Sequence, residues 1–480
     1  MTTSRIAVVG GGISGLAIAH EIVRLAGSDP VDVTVHEAAP RPGGKIWSRK
    51  EEGYTVEWGS NGFLDSKPET LALTRLVGLN DRLLPSDDRA RKRFLFVKGK
   101  LRRLPESPGA FLTSGILSWP AKFRVAWEPL ARPRPEDHDE TVFDFASRRI
   151  GKQAAARLVD PMVSGVFAGD PHNLSLAAAF PRMREMEDQY GGLFKAMKAI
   201  AKERREQRKA GEDAEDVSAA PAGRLTSFQA GLDELPRAVA SCLGGRVRLG
   251  QSLVGLEREE GAWRLTFSDG AEQRAEVVVL ATPAHASAEL LAPHSERAGA
   301  VLSGIPYGRL AVVALGYPAD GFSHPLDGFG FLVPSGEKRR LLGALWTSSV
   351  FPGRRAPDGR VLLRCMVGGM RAGELLDLGD DELLLLARQE LQVTMGFDCE
   401  PEFSRVFRHE QAIPGYPPGH HERLAELEEN LLASAPGLLL GGNAYRGIGM
   451  NDCTRNALQV APRALDIVRG LGKGEGFLTF

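Results

Sequence analysis

Residues 5–23 constrain the fold of this chain more than any other stretch. A β-branched run at 5–9 leads into Gly-Gly-Gly-Ile-Ser-Gly, and apolar side chains follow at helical spacing over 16–23. Strand, glycine turn and helix in this order are typical of a dinucleotide-binding fold, because glycine lets the backbone approach a pyrophosphate that the helix N-terminus faces. The predicted binding residues of this turn are Gly10, Gly11, Gly12, Ile13, Ser14 and Gly15.

A second apolar run, at 31–35, is followed by Glu37, whose carboxylate can hold the hydroxyls of a ribose. The sequence Arg-Pro-Gly-Gly-Lys comes next, at 41–45, and its glycines leave backbone amides room beside a ligand. This extension resembles the second signature of the FAD-dependent amine oxidase and protoporphyrinogen oxidase superfamily. We therefore expect FAD as the cofactor, with further contacts from Arg41, Gly43, Gly44 and Lys45.

Later segments complete the expected FAD site. Residues 59–62 match the place where that superfamily bends its chain under the flavin, and the resemblance also implies an adenine-side contact from Val254. The apolar run at 438–440 is predicted to add the last strand of the first sheet. A helix from 454 to 468, capped by Asn451 and Asp452, would then stabilise negative charge on the reduced flavin. The contacts expected here are Gly59, Ser60, Asn61, Gly62, Gly442, Asn443, Ile448, Gly449 and Met450.

Composition excludes several classes of protein. The 60 basic Lys and Arg residues nearly balance the 61 acidic ones, so the net charge gives no reason to expect a nucleic-acid partner. The four cysteines include no CxxC pair, so neither a metal site nor a disulfide framework is expected. The first strand starts within a few residues of Met1, and no apolar run is long enough to span a bilayer. We expect a cytoplasmic protein without a signal peptide.

These patterns predict an α/β fold. It comprises a two-dinucleotide-binding-type FAD domain, discontinuous in sequence, and a substrate domain containing a mixed sheet and a helical insertion. The expected ranges are 1–90, 225–290 and 430–480 for the FAD domain, and 291–430 for the substrate domain. The insertion is placed at 91–200 and is followed by an exposed loop at 201–218. Its amphipathic pieces fit either ordinary packing or a face on a membrane surface.

The family resemblance is most specific near the C-terminus. Residues 443–453, with the sequence Asn-Ala-Tyr-Arg-Gly-Ile-Gly-Met-Asn-Asp-Cys, resemble a protoporphyrinogen oxidase motif, whereas amine oxidases have Gly-aromatic-Met-Glu-Gly there. Residues 165–170 and 328–335 resemble two further stretches of that family, and the match covers nearly the whole chain. It implies that Arg93, expected to be partly desolvated before the apolar run at 94–97, binds a substrate propionate. The other implied substrate contacts are Gly165, Phe329, Leu332 and Met366.

The resemblance also implies a reaction. Protoporphyrinogen IX would be oxidised to protoporphyrin IX by non-covalent FAD, with O2 as acceptor and hydrogen peroxide as by-product. Flavin N5 would take the hydride, so no side-chain acid or base is required. Oxidation of coproporphyrinogen III stays open as an alternative; amine or polyene oxidation is disfavoured by the C-terminal motif, and a non-catalytic escort protein of this fold would be colourless. Further expectations are peripheral membrane contact, a homodimer and hand-over of product to ferrochelatase.

Overall fold

The computed structural model describes residues 3–134, 139–210, 223–322 and 324–471. Its strands are β1 Ser4–Val9, β2 Val31–Glu37, β3 Ser48–Glu51, β4 Tyr54–Glu57, β5 Phe63–Leu64, β6 Leu83–Pro85, β7 Phe94–Val97, β8 Lys100–Arg103, β9 Leu225–Phe228, β10 Val247–Leu249, β11 Leu253–Glu259, β12 Ala262–Phe267, β13 Glu272–Ala275, β14 Val277–Leu280, β15 Tyr307–Pro318, β16 Gly330–Leu332, β17 Leu341–Trp346, β18 Arg360–Gly369, β19 Phe403–Pro414 and β20 Leu438–Leu440.

The helices lie between these strands and at the C-terminal end of the described chain. They are α1 Ile13–Ala26, α2 Pro68–Leu76, α3 Pro108–Thr113, α4 Trp119–Ala126, α5 Val142–Ile150, α6 Lys152–Ala154, α7 Asp160–Phe167, α8 Leu176–Ala179, α9 Pro181–Tyr190, α10 Leu193–Ala210, α11 Glu234–Leu243, α12 Ala284–Leu291, α13 Glu296–Ser303, α14 Thr347–Val350, α15 Asp380–Met395, α16 His420–Ser434 and α17 Met450–Val468. A π-helical stretch, Ala155–Val159, joins α6 to α7.

A parallel five-stranded sheet has the order β10-β2-β1-β14-β20. Strands β14 and β20 are entirely apolar and most of β1 is buried, because helices cover both faces, whereas β2 and β10 also carry polar residues. Helices α1 and α17 pack together on one face, and α12, α13 and α16 contribute to the core on the other. The predicted closing strand is confirmed, since Leu438–Leu440 pairs in parallel with Val278–Leu280. Two segments far apart in sequence therefore build one sheet.

Alternating apolar residues predict one strand over 246–256 and a hairpin with 263–267. The prediction of a single strand is wrong in its middle. Strand β10 ends at Leu249 and joins the parallel sheet, whereas β11 begins at Leu253 and pairs with β12 in a separate three-stranded sheet. Gly250 separates them with a φ of +75°, a conformation that glycine adopts without steric cost. The predicted hairpin partner at 263–267 is confirmed within β12.

The predicted mixed sheet is present. Seven strands lie in the order β19-β15-β18-β17-β16-β7-β8, antiparallel except for the parallel pair β7 and β16. One face carries an apolar core together with α15. Part of the other face packs against Tyr54, Val56 and Trp58, in and beside β4. This contact places the mixed sheet next to β4, which follows the glycine turn in sequence.

The limits of the helical insertion differ from the expectation. Residues 94–103 form β7 and β8 of the mixed sheet, because Phe94–Val97 is apolar on both faces and pairs with β16. Residues 201–210, expected in an exposed loop, continue helix α10, and 211–218 lie outside the described residues. A buried ion cluster ties the inserted helices together. Its members are Glu128, Glu140, Arg148, Arg149 and Glu187.

Candidate functional site

The glycine turn after β1 leaves no room for side chains at two positions. A Cβ atom at Gly10 would lie 2.6 Å from the carbonyl oxygen of Ala281, and one at Gly15 would lie 1.9 Å from that of Gly10. Helix α1 starts at Ile13 with Gly12 as its N-cap, and no side chain of the described residues caps it. Its first amides are therefore available to an anion such as a pyrophosphate.

Glu37 ends strand β2 beside this turn. Its carboxylate accepts hydrogen bonds from the backbone N–H of Gly11, at 2.6 Å, and of Ala39, at 2.8 Å. Each carboxylate oxygen has a second lone pair, so both can still accept from a ribose hydroxyl. The carboxylate thus stabilises the turn and can accept hydrogen bonds from a ligand at the same time.

The loop at 41–45 packs directly on the turn. The N–H of Gly43 donates to the carbonyl of Gly11, and a Cβ atom at Gly44 would lie 3.1 Å from Cα of Gly12. The Arg41 guanidinium donates to the carbonyls of Pro42, Gly44 and Ile46 and so organises its own loop. Together the two glycine-rich segments form a close-fitting backbone cradle of the kind that a dinucleotide needs.

Residues 59–62 form the next part of the site. A Cβ atom at Gly59 would lie 1.9 Å from the carbonyl oxygen of Lys45, and one at Gly62 would lie 2.6 Å from that of Thr226. Ser60 is exposed and donates to the carbonyl of Gly62. Asn61 is only 7 % exposed, yet neither its Nδ2 nor its Oδ1 has a partner among the described residues. A buried amide with both atoms unsatisfied fits a ligand edge that offers both an acceptor and a donor.

The C-terminal segment reaches the same region. The N–H of Gly442 donates to Oδ1 of Asn456, and the carbonyl of Asn443 accepts from the hydroxyl of the buried Tyr416. Ile448 packs against the cluster around Tyr416, and Met450 lies in the core beside α1. These contacts hold residues 442–450 against the first sheet.

The predicted caps of the last helix are wrong. Helix α17 begins at Met450 with Gly449 as its N-cap, and Asp452 occupies the third helical position. The carboxylate of Asp452 accepts from the N–H of Gly449 at 3.1 Å, so this amide is not free for a ligand. Lys67 and Arg455 in turn lie within ion-pair distance of Asp452. The negative charge near the start of α17 is therefore that of Asp452, a residue of the protein itself.

Among the described residues, no contact joins Val254 to the glycine turn. It lies at an irregularity in the pairing of β11 with β12 and is 61 % exposed. Gln251, three residues earlier, is the one that reaches the site, because its N–H donates to the carbonyl of Glu37. The adenine contact of Val254 stays a prediction.

Four of the predicted substrate residues lie together, three of them in or beside strands of the mixed sheet and Gly165 on helix α7. Phe329, Leu332 and Met366 belong to one apolar cluster, which we call the substrate cluster and which also includes Ala168, Leu310, Leu342, Leu345, Ala412 and Ile413. Gly165 faces it, since a Cβ atom there would lie 2.7 Å from a methyl group of Leu332. Residues as far apart in sequence as Ala168 and Ile413 therefore form one apolar cluster.

Arg93 is exposed, so the expectation that it is partly desolvated is wrong for the free protein. It precedes β7, and its backbone carbonyl accepts from the N–H of Leu104. The guanidinium lies over the ring of Phe329, at 5.6 Å from the centroid, and makes no ion pair with the residues that the structure describes. Its charge therefore lies at the rim of the substrate cluster.

Lys45 connects the cofactor side to the substrate cluster. Its ammonium donates to the carbonyl of Ala412 at 2.6 Å and lies 5.0 Å from the centroid of the Tyr307 ring. Burial lowers the pKa of Lys45 to about 8. Burial also lowers the pKa of His409, and the charges of Arg364, Lys45 and Arg41 lower it further. Several basic groups therefore converge near the bend at 59–62.

Arg364 was not predicted as a site residue. It lies on β18 two positions before Met366, is 5 % exposed, and its Nη2 donates to the carbonyl of Gly59. A signal was available in the sequence, because this is a single arginine within the otherwise apolar run at 361–367. Lone charges in buried strands are rare and need a partner.

Comparison with known proteins gives matches over most of the chain. The family model of flavin-containing amine oxidoreductases matches residues 13–465. Protoporphyrinogen oxidase 1 from chloroplasts of Arabidopsis thaliana is 34 % identical to this chain, over 96 % of this chain and 87 % of its own length. Coproporphyrinogen III oxidase from Bacillus subtilis is 28 % identical, over 93 % and 95 %.

A solved structure resembles the chain as a whole. The crystal structure of a proposed protoporphyrinogen oxidase from Exiguobacterium sp. 255-15 superimposes with a TM-score of 0.82, covering 96 % of this chain and 99 % of that one, at 25 % identity. The match spans both the parallel sheet and the mixed sheet. The chain therefore belongs to the flavin-containing amine oxidoreductase family and is a flavin-dependent oxidoreductase.

Proposed function

We propose that this enzyme oxidises a porphyrinogen to the corresponding porphyrin, with protoporphyrinogen IX as substrate and FAD as a non-covalent cofactor. The observation that carries the proposal is the position of the substrate cluster. Lys45 joins it to the cofactor loop through Ala412, and Arg93 stands at its rim. An apolar surface with one exposed cation beside it suits a flat, largely apolar macrocycle that carries carboxylates.

The chain supplies the groups that FAD requires. The first amides of α1 would hold the pyrophosphate, Glu37 would accept from the ribose, and the amide of Asn61 would bind the flavin edge. FAD held there would supply a hydride acceptor for the substrate, with O2 as the final electron acceptor and hydrogen peroxide as by-product. The protein would hold and orient the substrate and shield it from water. The proposed reaction therefore requires no side-chain acid or base.

A covalent flavin link is disfavoured by the chemistry of Cys453. This thiol is 6 % exposed near the start of α17, and burial raises its pKa to about 11. A thiol in this state is a poor nucleophile, because the thiolate is the reactive form. The proposed flavin site therefore needs no covalent bond to Cys453.

The experiment is an absorption spectrum of the purified chain, followed by anaerobic mixing with protoporphyrinogen IX or coproporphyrinogen III in separate samples. We expect a flavin spectrum that bleaches with protoporphyrinogen IX as fluorescent porphyrin forms. Faster bleaching by coproporphyrinogen III would favour that substrate, which relatives such as the one from B. subtilis have in their name. A flavin that neither porphyrinogen reduces would refute the proposal, and a colourless protein would favour an escort role.

Peripheral contact with a membrane is part of the proposal. Trp119, Phe123 and Trp127 are four residues apart on and just after α4, so they share one helix face, and each is at least 60 % exposed. No helix of the described residues has the length and hydropathy to span a bilayer. The aromatic side chains can instead insert at the interface between headgroups and acyl chains.

Sedimentation with lipid vesicles tests this surface. Replacing Trp119, Phe123 and Trp127 together by serine is expected to abolish co-sedimentation while flavin content stays normal. The control is Leu385→Ser with Val393→Ser on α15, which removes apolar side chains of similar exposure elsewhere. Equal binding of both variants would contradict the proposal. The homodimer and the hand-over to ferrochelatase stay predictions.

A further inference from the structure

Arg364 is a buried cation that makes no ion pair with the described residues. It is 5 % exposed within the apolar strand β18, its Nη2 donates to the neutral carbonyl of Gly59, and its Nε has no partner among the described residues. Burial lowers the pKa of Arg364 to about 10. A guanidinium removed from water is costly unless an anion compensates it. Something else at this position is therefore expected to supply the negative charge.

Glu57, the carboxylate whose charge acts on Arg364, is already engaged. Glu57 is 0 % exposed and accepts from Ser48, at 2.5 Å, and from the N–H of Leu232, at 2.9 Å. Its ion-pair partner is Arg355, at 3.4 Å and equally buried. Glu57 thus balances Arg355, and its charge offsets only part of the burial cost of Arg364.

The surroundings of Arg364 locate the missing anion. Its hydrogen bond fixes the carbonyl of Gly59, whose backbone packs on that of Lys45, a part-buried cation. Two residues further, Asn61 has a donor and an acceptor without partners in the described chain. The bend at 59–62 therefore carries positive charge on one side and an unmatched amide on the other. This combination fits a polar ring edge that can become negatively charged.

Two anions could compensate the positive charge of Arg364, namely a carboxylate of the substrate or the reduced flavin. A carboxylate would have to lose its water on entering a site this deep, whereas Arg93 offers an exposed cation at the rim. The negative charge of a reduced flavin arises within the site and needs no such transfer. Helix α17 is less suited to this task than expected, because Asp452 takes the N–H of Gly449.

We propose that Arg364 is the fixed positive charge that stabilises the anionic reduced flavin and so raises the reduction potential of the cofactor. Hydride transfer adds two electrons and one proton to the flavin, and the surplus negative charge spreads over its pyrimidine ring. A preorganised cation beside this ring favours the charged form without rearrangement of the protein. The inference rests on the proposed flavin site and deepens it.

The test uses the FAD-loaded enzyme and two measurements that need no porphyrinogen, namely the two-electron reduction potential and the affinity for sulfite. Sulfite adds to N5 of oxidised flavin and leaves a negative charge on the ring. We expect Arg364→Met to weaken sulfite binding at least tenfold and to lower the potential by about 30 mV, the equivalent of a tenfold change for two electrons. Arg364→Lys, which keeps the charge, should fall between that variant and the unchanged enzyme.

The matched control is Arg360→Met on the same strand, where the arginine is 40 % exposed and pairs with Glu402. It should leave both measurements unchanged.

Unchanged sulfite affinity and potential in Arg364→Met would overturn the inference. A raised KM for porphyrinogen, without a change in those two quantities, would assign the charge to a substrate carboxylate. If Arg364→Met does not retain flavin, Arg364→Lys and Arg364→Gln give the same comparison, and equal values for those two variants would refute the inference. Failure to oxidise porphyrinogens with normal sulfite behaviour would contradict the proposed function alone.

Discussion

The ammonium of Lys45 donates a 2.6 Å hydrogen bond to the carbonyl of Ala412, 367 positions further along the chain. Lys45 belongs to the loop that packs on the glycine turn, and Ala412 lies on β19 in the substrate cluster. One side chain thus spans the boundary between the parallel sheet and the mixed sheet. This contact couples the geometry of the cofactor loop to that of the substrate surface.

The stability of the cofactor-free protein should depend on pH through Lys45. Burial lowers the pKa of Lys45 from 10.5 to about 8, so between these values the unfolded chain binds a proton that the folded chain has released. The free energy of unfolding should therefore rise with pH across this window, and Lys45 contributes no slope below pH 8. Denaturant titrations should show this rise in the unchanged protein and not in Lys45→Met. Lys50→Met, at an exposed position, is the control, and an identical slope in all three proteins would contradict the prediction.

Arg93→Ala should impair substrate binding without affecting the flavin. The guanidinium stands at the rim of the substrate cluster, and loss of one charged hydrogen bond costs about 1.5 kcal/mol, or about tenfold in kcat/KM. Steady-state kinetics with porphyrinogen and the flavin-to-protein ratio check this. Arg91→Ala, whose side chain is 70 % exposed and pairs with Asp88, should retain full activity. Loss of flavin with unchanged kinetics would identify Arg93 as a structural residue instead.

Glu37→Gln should weaken flavin binding. Its carboxylate holds the N–H groups of Gly11 and Ala39 and can accept from the ribose, and an amide cannot accept at both ends. We expect Kd for FAD to rise at least tenfold, since hydrogen bonds to charged groups contribute about 1.5–3 kcal/mol. Fluorescence titration of the cofactor-free protein measures this. Glu260→Gln, with a side chain 87 % exposed, should bind FAD normally; comparable Kd values in the two variants would argue against the ribose role.

Acid precipitation of the enzyme should leave all yellow cofactor in the supernatant. The thiol of Cys453 is the nearest candidate for a link, but burial raises its pKa to about 11 and so suppresses the reactive thiolate. Absorbance of supernatant and pellet measures the distribution, and Cys453→Ala should behave like the unchanged enzyme. Flavin that stays with the pellet of the unchanged enzyme, and not with that of Cys453→Ala, would reveal a covalent bond.

Glu128→Gln should destabilise the inserted helices. The carboxylate of Glu128 is 0 % exposed, pairs with Arg149 at 1 % exposure, and accepts from the N–H of Leu193 and Phe194 at the start of α10. Breaking a buried pair costs about 3–5 kcal/mol, and the contact of Arg149 with Glu187 at 3.3 Å compensates only part of the remaining charge. Thermal denaturation should show this loss. The exposed pair of Arg182 with Glu185 offers the comparison, where Glu185→Gln should cost less than about 1 kcal/mol.

Local patterns made much of the cofactor site predictable. The glycine turn after β1 and the acidic end of β2 depend on residues within about 30 positions of one another, and their backbone requirements can be recognised from residue type. The caps of α17 were not predictable in this way. Asn451 and Asp452 are both good N-cap residues, yet the helix starts at Met450 and uses Asp452 from inside its first turn.

The sequence by itself determined the local elements at the start of the chain. The apolar run of β1, the glycine spacing after it and the acidic residue at 37 are local properties, and they predict a dinucleotide-binding turn without reference to the rest of the chain. Tertiary structure alone decided that Lys45 meets Ala412, that Arg364 meets Gly59 and that Arg93 stays exposed over Phe329. Such contacts depend on how distant strands pack, and the burial that shifts a pKa or leaves a charge uncompensated exists only once that packing has formed.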